Sequence, residues 1–188
     1  FGHINVVIDQ MMASTLSAGS IAALHYATRL HSIATQLFII VVSKAVLPFF
    51  SQQVATKDFE ALKETYYLTI KRMLCVLVPL SVGIIFLGKP LVQFVFQRGA
   101  FSTHSTAATA GAWIAYTIGL PVQAIGILAA KIYNVLQKNT ILMYVAGASI
   151  GLNIFFNWTF MKIWGHIGIA LSTSGVYFVT TGVLFYIL

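Results

Sequence analysis

Carboxylates are nearly absent from this chain, where Asp9, Asp58, Glu60 and Glu64 are the only acids in 188 residues. No second intramembrane carboxylate accompanies Asp9, so paired acid–base catalysis has nothing to work with there. Charge of either sign is scarce, at 8% of residues against 59% hydrophobic, and mean hydropathy is +0.88. Too little charge is present to cover a water-soluble globule, which makes the bilayer the solvent to reason in. The single cysteine, Cys75, excludes a disulfide framework within the chain and reads as a small hydrophobe in its apolar run. GxSxG and P-loop motifs are missing, and His25 and His31 do not share the i, i+4 spacing of a helical metal pair. His3, His104 and His166 lie near segment ends. Catalysis is not expected. No basic n-region precedes a separate apolar stretch over Phe1 to Ile8, so no cleavable signal is read. Both ends fall inside apolar segments, the pattern of a piece cut from a longer protein.

Long hydrophobic runs fill the chain. Breaks at SAGS, ATKD, GKP, RGAFST, LQKNT and WGH divide it into six segments near 1–16, 20–54, 59–87, 103–137, 140–163 and 166–188. The expected fold is an all-α membrane protein, a single six-helix lobe over 1–188. The second and fourth segments exceed a perpendicular crossing and should tilt, kink or project, with Pro121 a kink and Pro48 near a helix end. Residues 59–72 carry mixed charge and should extend a helix into the headgroup layer, whereas GKPLVQFVFQRGAF reads as an interfacial helix and turn. Lys57, Lys63, Lys71, Arg72 and Lys138 gather on the side of the 55–58 and 138–140 connections, with Lys44 and Lys131 in snorkelling reach. Lys89, Arg98 and Lys162 lie on the other side. By the positive-inside rule the first side is cytoplasmic, so both chain ends are inside. The net charge of +7 then serves orientation and anionic membrane lipids rather than nucleic acid.

Within this apolar background Arg29 is an energetic anomaly. An arginine at the centre of a membrane helix costs roughly 2.5–3.5 kcal/mol on insertion scales, so it ordinarily faces a cavity or a partner. His25, Arg29, Ser32 and Gln36 fall at i, i+4, i+7 and i+11, with Ser43 seven further on, which places them along one helix face. A hydrated cavity and interhelical packing both account for such a stripe.

Asp9 has two readings. Counting about 1.5 Å per residue, it lies about 10 Å below the outer end of its helix and Arg29 about 14 Å below the start of the next, so a local ion pair is one reading. The same count puts Asn157 about 9 Å and Thr173 about 10 Å below that surface, with Asn153 one turn from Asn157. Asp9, Asn153, Asn157, Thr173 and a main-chain carbonyl would then form a hard-oxygen site suited to Na⁺.

The segments INVVIDQMMAS, GSIAALHYATRL, VLPFFS, FVFQRGAF, YTIGLP and IYNVLQKNT, in this order, resemble the carboxyl-terminal half of the MurJ/MviN lipid II flippases, within the multidrug, oligosaccharidyl-lipid and polysaccharide exporter superfamily. GSIAALHYATRL and QRGAF are the most specific pieces, and the likeness covers essentially the whole chain. It implies helices seven to twelve of a fourteen-helix transporter of the bacterial inner membrane, whose amino-terminal lobe is missing here. It further implies alternating access to an undecaprenyl-linked substrate, with Arg29 holding the diphosphate through its planar fork. The family's Na⁺ pattern maps onto Asp9, Asn153, Asn157 and Thr173, with the carbonyl of Ile169. Thr28 stands where the family often has Asp, Asn157 where it often has an acid, and IYNVLQKNTIL lacks a common proline. A drug or other polysaccharide exporter, and a non-transporting scaffold built on an Asp9–Arg29 pair, are the competing functions.

Overall fold

The computed structural model describes residues 2–16, 19–98 and 101–187, with side chains from residue 5 onward. Parts of two expected connections, 17–18 and 99–100, and the side chain of His3 lie outside the described residues. Regular structure among the described residues is entirely helical. In chain order it comprises α1 (Gly2–Ala13), α2 (Ser20–Ala34), a π-helical segment (Thr35–Ile40), α3 (Val41–Ala55), α4 (Phe59–Phe96), α5 (Thr103–Ile118), α6 (Leu120–Val135) and α7 (Asn139–Ile187).

These elements group into six helical segments. The stretch Ser20–Ala55 runs through α2, the π segment and α3, and both it and α4 are long and apolar enough to cross a membrane. α5 and α6 meet at Gly119 with a bend of 47°, next to Pro121, and qualify together as one broken span. α7 also qualifies on length and composition, but its 49 residues would reach about 74 Å if straight, more than twice a hydrocarbon core. Gly165 breaks it with φ 56° and ψ −131°, a conformation open to glycine and strained for other residues. Beyond that break the chain reverses, since Gly168 lies against the Phe160 carbonyl, Ser172 bonds Asn157, and Gly175 faces the Phe156 ring. The arms 139–164 and 166–187 are therefore antiparallel, as WGH leads one to expect.

Starts and stops follow ordinary end chemistry. Asp58 accepts from the Ala61 N–H at 3.0 Å and Ser102 from the Ser105 N–H at 3.2 Å, capping α4 and α5. GKP, however, does not end a helix. The third segment, expected to stop at 87 before an interfacial turn, continues unbroken to Phe96. Pro90 forfeits one backbone bond at about 3 kcal/mol, yet unwinding the helix would strand several polar groups in hydrocarbon at several kcal/mol each. Gly88 packs on Trp113 and Ile114 of α5, and Val92 is fully buried, so tertiary packing also favours continuity.

α5 is the centre of the lobe. Its small residues, including Ala110, Ala112 and Ala115, are buried in one cluster with Ala27 of α2, Ile84 of α4 and Ile169 of α7. Small side chains allow helices to approach closely where no hydrophobic effect drives them together. That packing sets α1, α2 and the second arm of α7 around a shared space.

Candidate functional site

A cavity of about 360 Å³ occupies that space. His25, Arg29 and Ser32 line it from α2, as the i, i+4, i+7 spacing requires, and Asp9 and Thr173 line it from α1 and α7. Gln36 does not reach it and is exposed. Ser43 is fully buried and donates to the Ile39 carbonyl at 2.7 Å, so it too leaves the stripe. The π segment between them supplies the reason. One extra residue per turn rotates everything beyond it by about 100°, which ends the face that the sequence periodicity had continued.

Asp9 is 6% exposed, and its carboxylate is held entirely by neutral donors. Asn157 Nδ2 donates to Oδ1 at 2.7 Å, Asn153 Nδ2 to the same oxygen at 3.2 Å, and Thr173 Oγ1 to Oδ2 at 3.2 Å. Behind them Asn157 Nδ2 also donates to Asn153 Oδ1 at 3.2 Å, and Ser172 donates to Asn157 Oδ1. The Ile169 carbonyl accepts from Ser172 at 2.9 Å and from Thr173 at 3.3 Å, which puts it at the edge of the same cluster. All five residues of the expected hard-oxygen set thus come together, with Ser172 added. Its position next to Thr173 was the available signal.

The Asp9–Arg29 ion pair does not form. Among the described residues the only ion pair is Lys63–Glu60, at 3.4 Å. Equal depth along two neighbouring helices fixed one coordinate of the two groups, but α1 turns Asp9 toward α7, whose amides and hydroxyl occupy both carboxylate oxygens. Arg29 is exposed and its side chain makes no hydrogen bond or ion pair among the described residues. The charge accessible in the cavity is consequently positive, and the negative one is sunk in its wall.

The cluster has the composition of a site for a small hard cation: two carboxylate oxygens, two amide oxygens, a hydroxyl and a carbonyl. Asn153 and Asn157 present N–H groups to Asp9 in the arrangement found, so a cation would require both amides to turn their oxygens inward. No cluster of three or more His, Cys, Asp or Glu exists among the described residues, which disfavours a softer metal.

A further part of the wall had no periodic signal. His31 is buried, its Nε2 stands 3.0 Å from Gln123 Oε1, and Gln123 Nε2 donates to the Tyr177 hydroxyl at 3.1 Å. Because Oε1 only accepts, His31 carries its proton on Nε2, leaving Nδ1 buried without a partner. Tyr116 lies against the His31 ring with centroids 5.6 Å apart, and Tyr116 and Tyr177 both line the cavity. Asn5, one turn before Asp9, lines it as well and was visible by spacing. Gln123 was not visible, since 92 residues separate it from His31.

A family model described as lipid II flippase MurJ matches residues 2–188. The chain belongs to the MurJ family. It is 35% identical to the lipid II flippase MurJ of Thermosipho africanus over 80% of this chain and 31% of that protein. To the probable lipid II flippase MurJ of Vibrio cholerae it is 28% identical, over 97% of this chain and 35% of that protein. A solved structure of lipid II flippase MurJ in an inward closed conformation superposes with a TM-score of 0.88 at 31% identity, covering 97% of this chain and 39% of that one. The chain thus spans about a third of the length of the relatives it matches.

Proposed function

We propose that this chain is one lobe of a flippase that carries lipid II across the bacterial inner membrane by alternating access, a transport rather than a chemical reaction. The observation that carries the reading is the free guanidinium of Arg29 in a polar cavity walled by apolar helices. A diphosphate headgroup cannot cross hydrocarbon unaided, and a planar fork makes paired, charge-assisted bonds to its oxygens. His25 and Ser32 supply further polar contacts on the same face. At about 360 Å³ the cavity admits a diphosphate and part of a sugar, so the rest of the head needs a second wall. An amino-terminal lobe fits that need, and the chain's one-third share of its relatives leaves room for one. The distribution of lysine and arginine supports cytoplasmic placement of both chain ends.

Na⁺ is the coupling ion in this reading, held by Asp9, Asn153, Asn157, Thr173 and the Ile169 carbonyl. An unpaired buried carboxylate beside an anion-binding arginine repels the cargo; a cation on Asp9 removes that repulsion. Loading of the ion and of the diphosphate would therefore favour each other.

A drug exporter for cations would be expected to expose an acid, and here the accessible charge is Arg29. The scaffold alternative rested on an Asp9–Arg29 pair that does not form among the described residues. The test is reconstitution of the full-length protein in vesicles with labelled lipid II and, for comparison, another polyprenyl-linked glycan. Arg29→Ala is expected to abolish lipid II movement while the melting curve stays cooperative, and Arg29→Lys to keep a fraction of it. Unchanged transport by Arg29→Ala would sink the proposal.

A further inference from the structure

A second cavity, of about 460 Å³, opens at the end of the bundle where α2 begins, α4 ends, α5 begins and α7 turns. It shares no lining residue with the cavity around Arg29. Its charge is of one sign: Arg98 and the imidazoles of His104 and His166 line it, and none of the chain's four carboxylates does. Asp9 belongs to the other cavity, while Asp58, Glu60 and Glu64 sit at the far end of α4. Even Glu64 is about 48 Å from Phe96 along that helix. Arg98 is exposed and has no counter-charge among the described residues.

The wall is also built of donors. α5 starts within it, and the first-turn N–H groups of Thr103 and His104 have no carbonyl of their own helix to reach. The start of a 16-residue helix carries partial positive charge and favours an anion. Deeper along α5, Thr109 lines the cavity, is fully buried, and its Oγ1 has no partner. That is unusual in this fold. Thr28, Thr117 and Thr180 return their hydroxyls to the carbonyl four residues back, and Thr106, beside the cavity, bonds Ser102 O and Gln97 Oε1. Thr109 keeps an unspent donor about 8 Å beyond His104 along the helix. His166 Nε2 lies 3.3 Å from the Ala108 carbonyl and so fixes the α7 turn to this wall. The facing side is aromatic: Tyr26 packs on Phe96 and Phe101 with centroids 5.0 and 5.5 Å apart.

We propose that this cavity is a second anion site, for the phosphate ester headgroup of a membrane amphiphile. Arg98 and the first turn of α5 hold the phosphate, Thr109 donates to a second oxygen function about 8 Å further in, and the aromatic side takes the adjoining apolar part. A phosphoglycerol and a polyprenyl diphosphate share this chemistry, so the lipid is either a resident phospholipid or the cargo at a station away from Arg29.

The experiment is native mass spectrometry of the full-length protein in detergent, titrated with phosphatidylglycerol, undecaprenyl diphosphate, and phosphatidylcholine as a zwitterionic control. Arg98→Gln should weaken binding of one anionic lipid about tenfold, the loss expected for a hydrogen-bonded charge. Thr109→Val, which keeps shape and removes the hydroxyl, should weaken the same lipid a few-fold, and Arg29→Gln should leave that binding intact. The lipid that responds to Arg98 identifies the source. Binding indifferent to Arg98→Gln for both anionic lipids, or lost with Arg29→Gln instead, overturns the proposal.

Discussion

Replacing Asp9 with asparagine separates a buried charge from the hydrogen bonds around it. The carboxylate accepts three bonds, from Asn157 at 2.7 Å, Asn153 at 3.2 Å and Thr173 at 3.2 Å. At about 1.5–3 kcal/mol each for a charged acceptor they contribute about 5–9 kcal/mol, against several kcal/mol for holding an unpaired carboxylate away from water. Those terms nearly cancel. An amide fits the same geometry, because both Asn donors converge on Oδ1, which remains an acceptor, and an N–H in place of Oδ2 can donate to the Thr173 hydroxyl. Three neutral bonds are worth about 1 kcal/mol each and the desolvation penalty disappears, so Asp9→Asn should change stability in Na⁺-free buffer by less than about 2 kcal/mol. The response to Na⁺ should differ sharply. A bound ion stabilises the parent by about 2.7 kcal/mol at one hundred times its dissociation constant, and the amide variant should gain nothing. The assay is thermal unfolding of the full-length protein in detergent, with NaCl exchanged for choline chloride at constant ionic strength. An equal Na⁺ shift in both proteins, or a loss above about 3 kcal/mol in Na⁺-free buffer, would refute the reasoning.

Arg29→Ala should remove lipid II transport with little change in melting temperature, since Arg29 is exposed and supports no contact in the fold; a large drop in stability would contradict that. Gly168→Ala puts a methyl group into the Phe160 carbonyl of the opposite arm, a backbone atom that cannot yield, and should cost about 2 kcal/mol or more. Gly147→Ala, in open space on the same helix, should be neutral or stabilise by up to about 1 kcal/mol, and the pair is read by melting curves. Gln123→Leu deletes bonds to His31, Thr35 and Tyr177 and should cost about 2 kcal/mol at the modest value per bond typical of membrane helices. Retention of the parent melting temperature would show that these contacts do not hold α2, α6 and α7 together.

Local signals carried most of the fold. Gly165 in WGH marked a reversal because its backbone requires glycine, and Pro121 marked the bend between α5 and α6. GKP misled, because the sequence shows the helix-breaking residues but not the lipid that makes breaking expensive, nor the α5 surface on which Gly88 packs. The π segment at Thr35–Ile40 left no mark in the apolar pattern and yet removed Gln36 and Ser43 from the cavity. The Asp9 cluster was found by counting depth along helices; the count gave the level of each group but not the direction it faces, so it served Asn153, Asn157 and Thr173 and failed for Arg29 as a partner.

By itself the sequence determined that the chain is helical and belongs in a bilayer, that a guanidinium and a carboxylate are held inside apolar helices, and how deep along its helix each lies. These follow from composition and a fixed rise per residue. Tertiary structure alone decided which way each group faces around its helix. Packing on α5 turned Asp9 to the amides of α7 and left Arg29 unpaired in the cavity, and a one-residue expansion of the helix ended the polar face after Ser32.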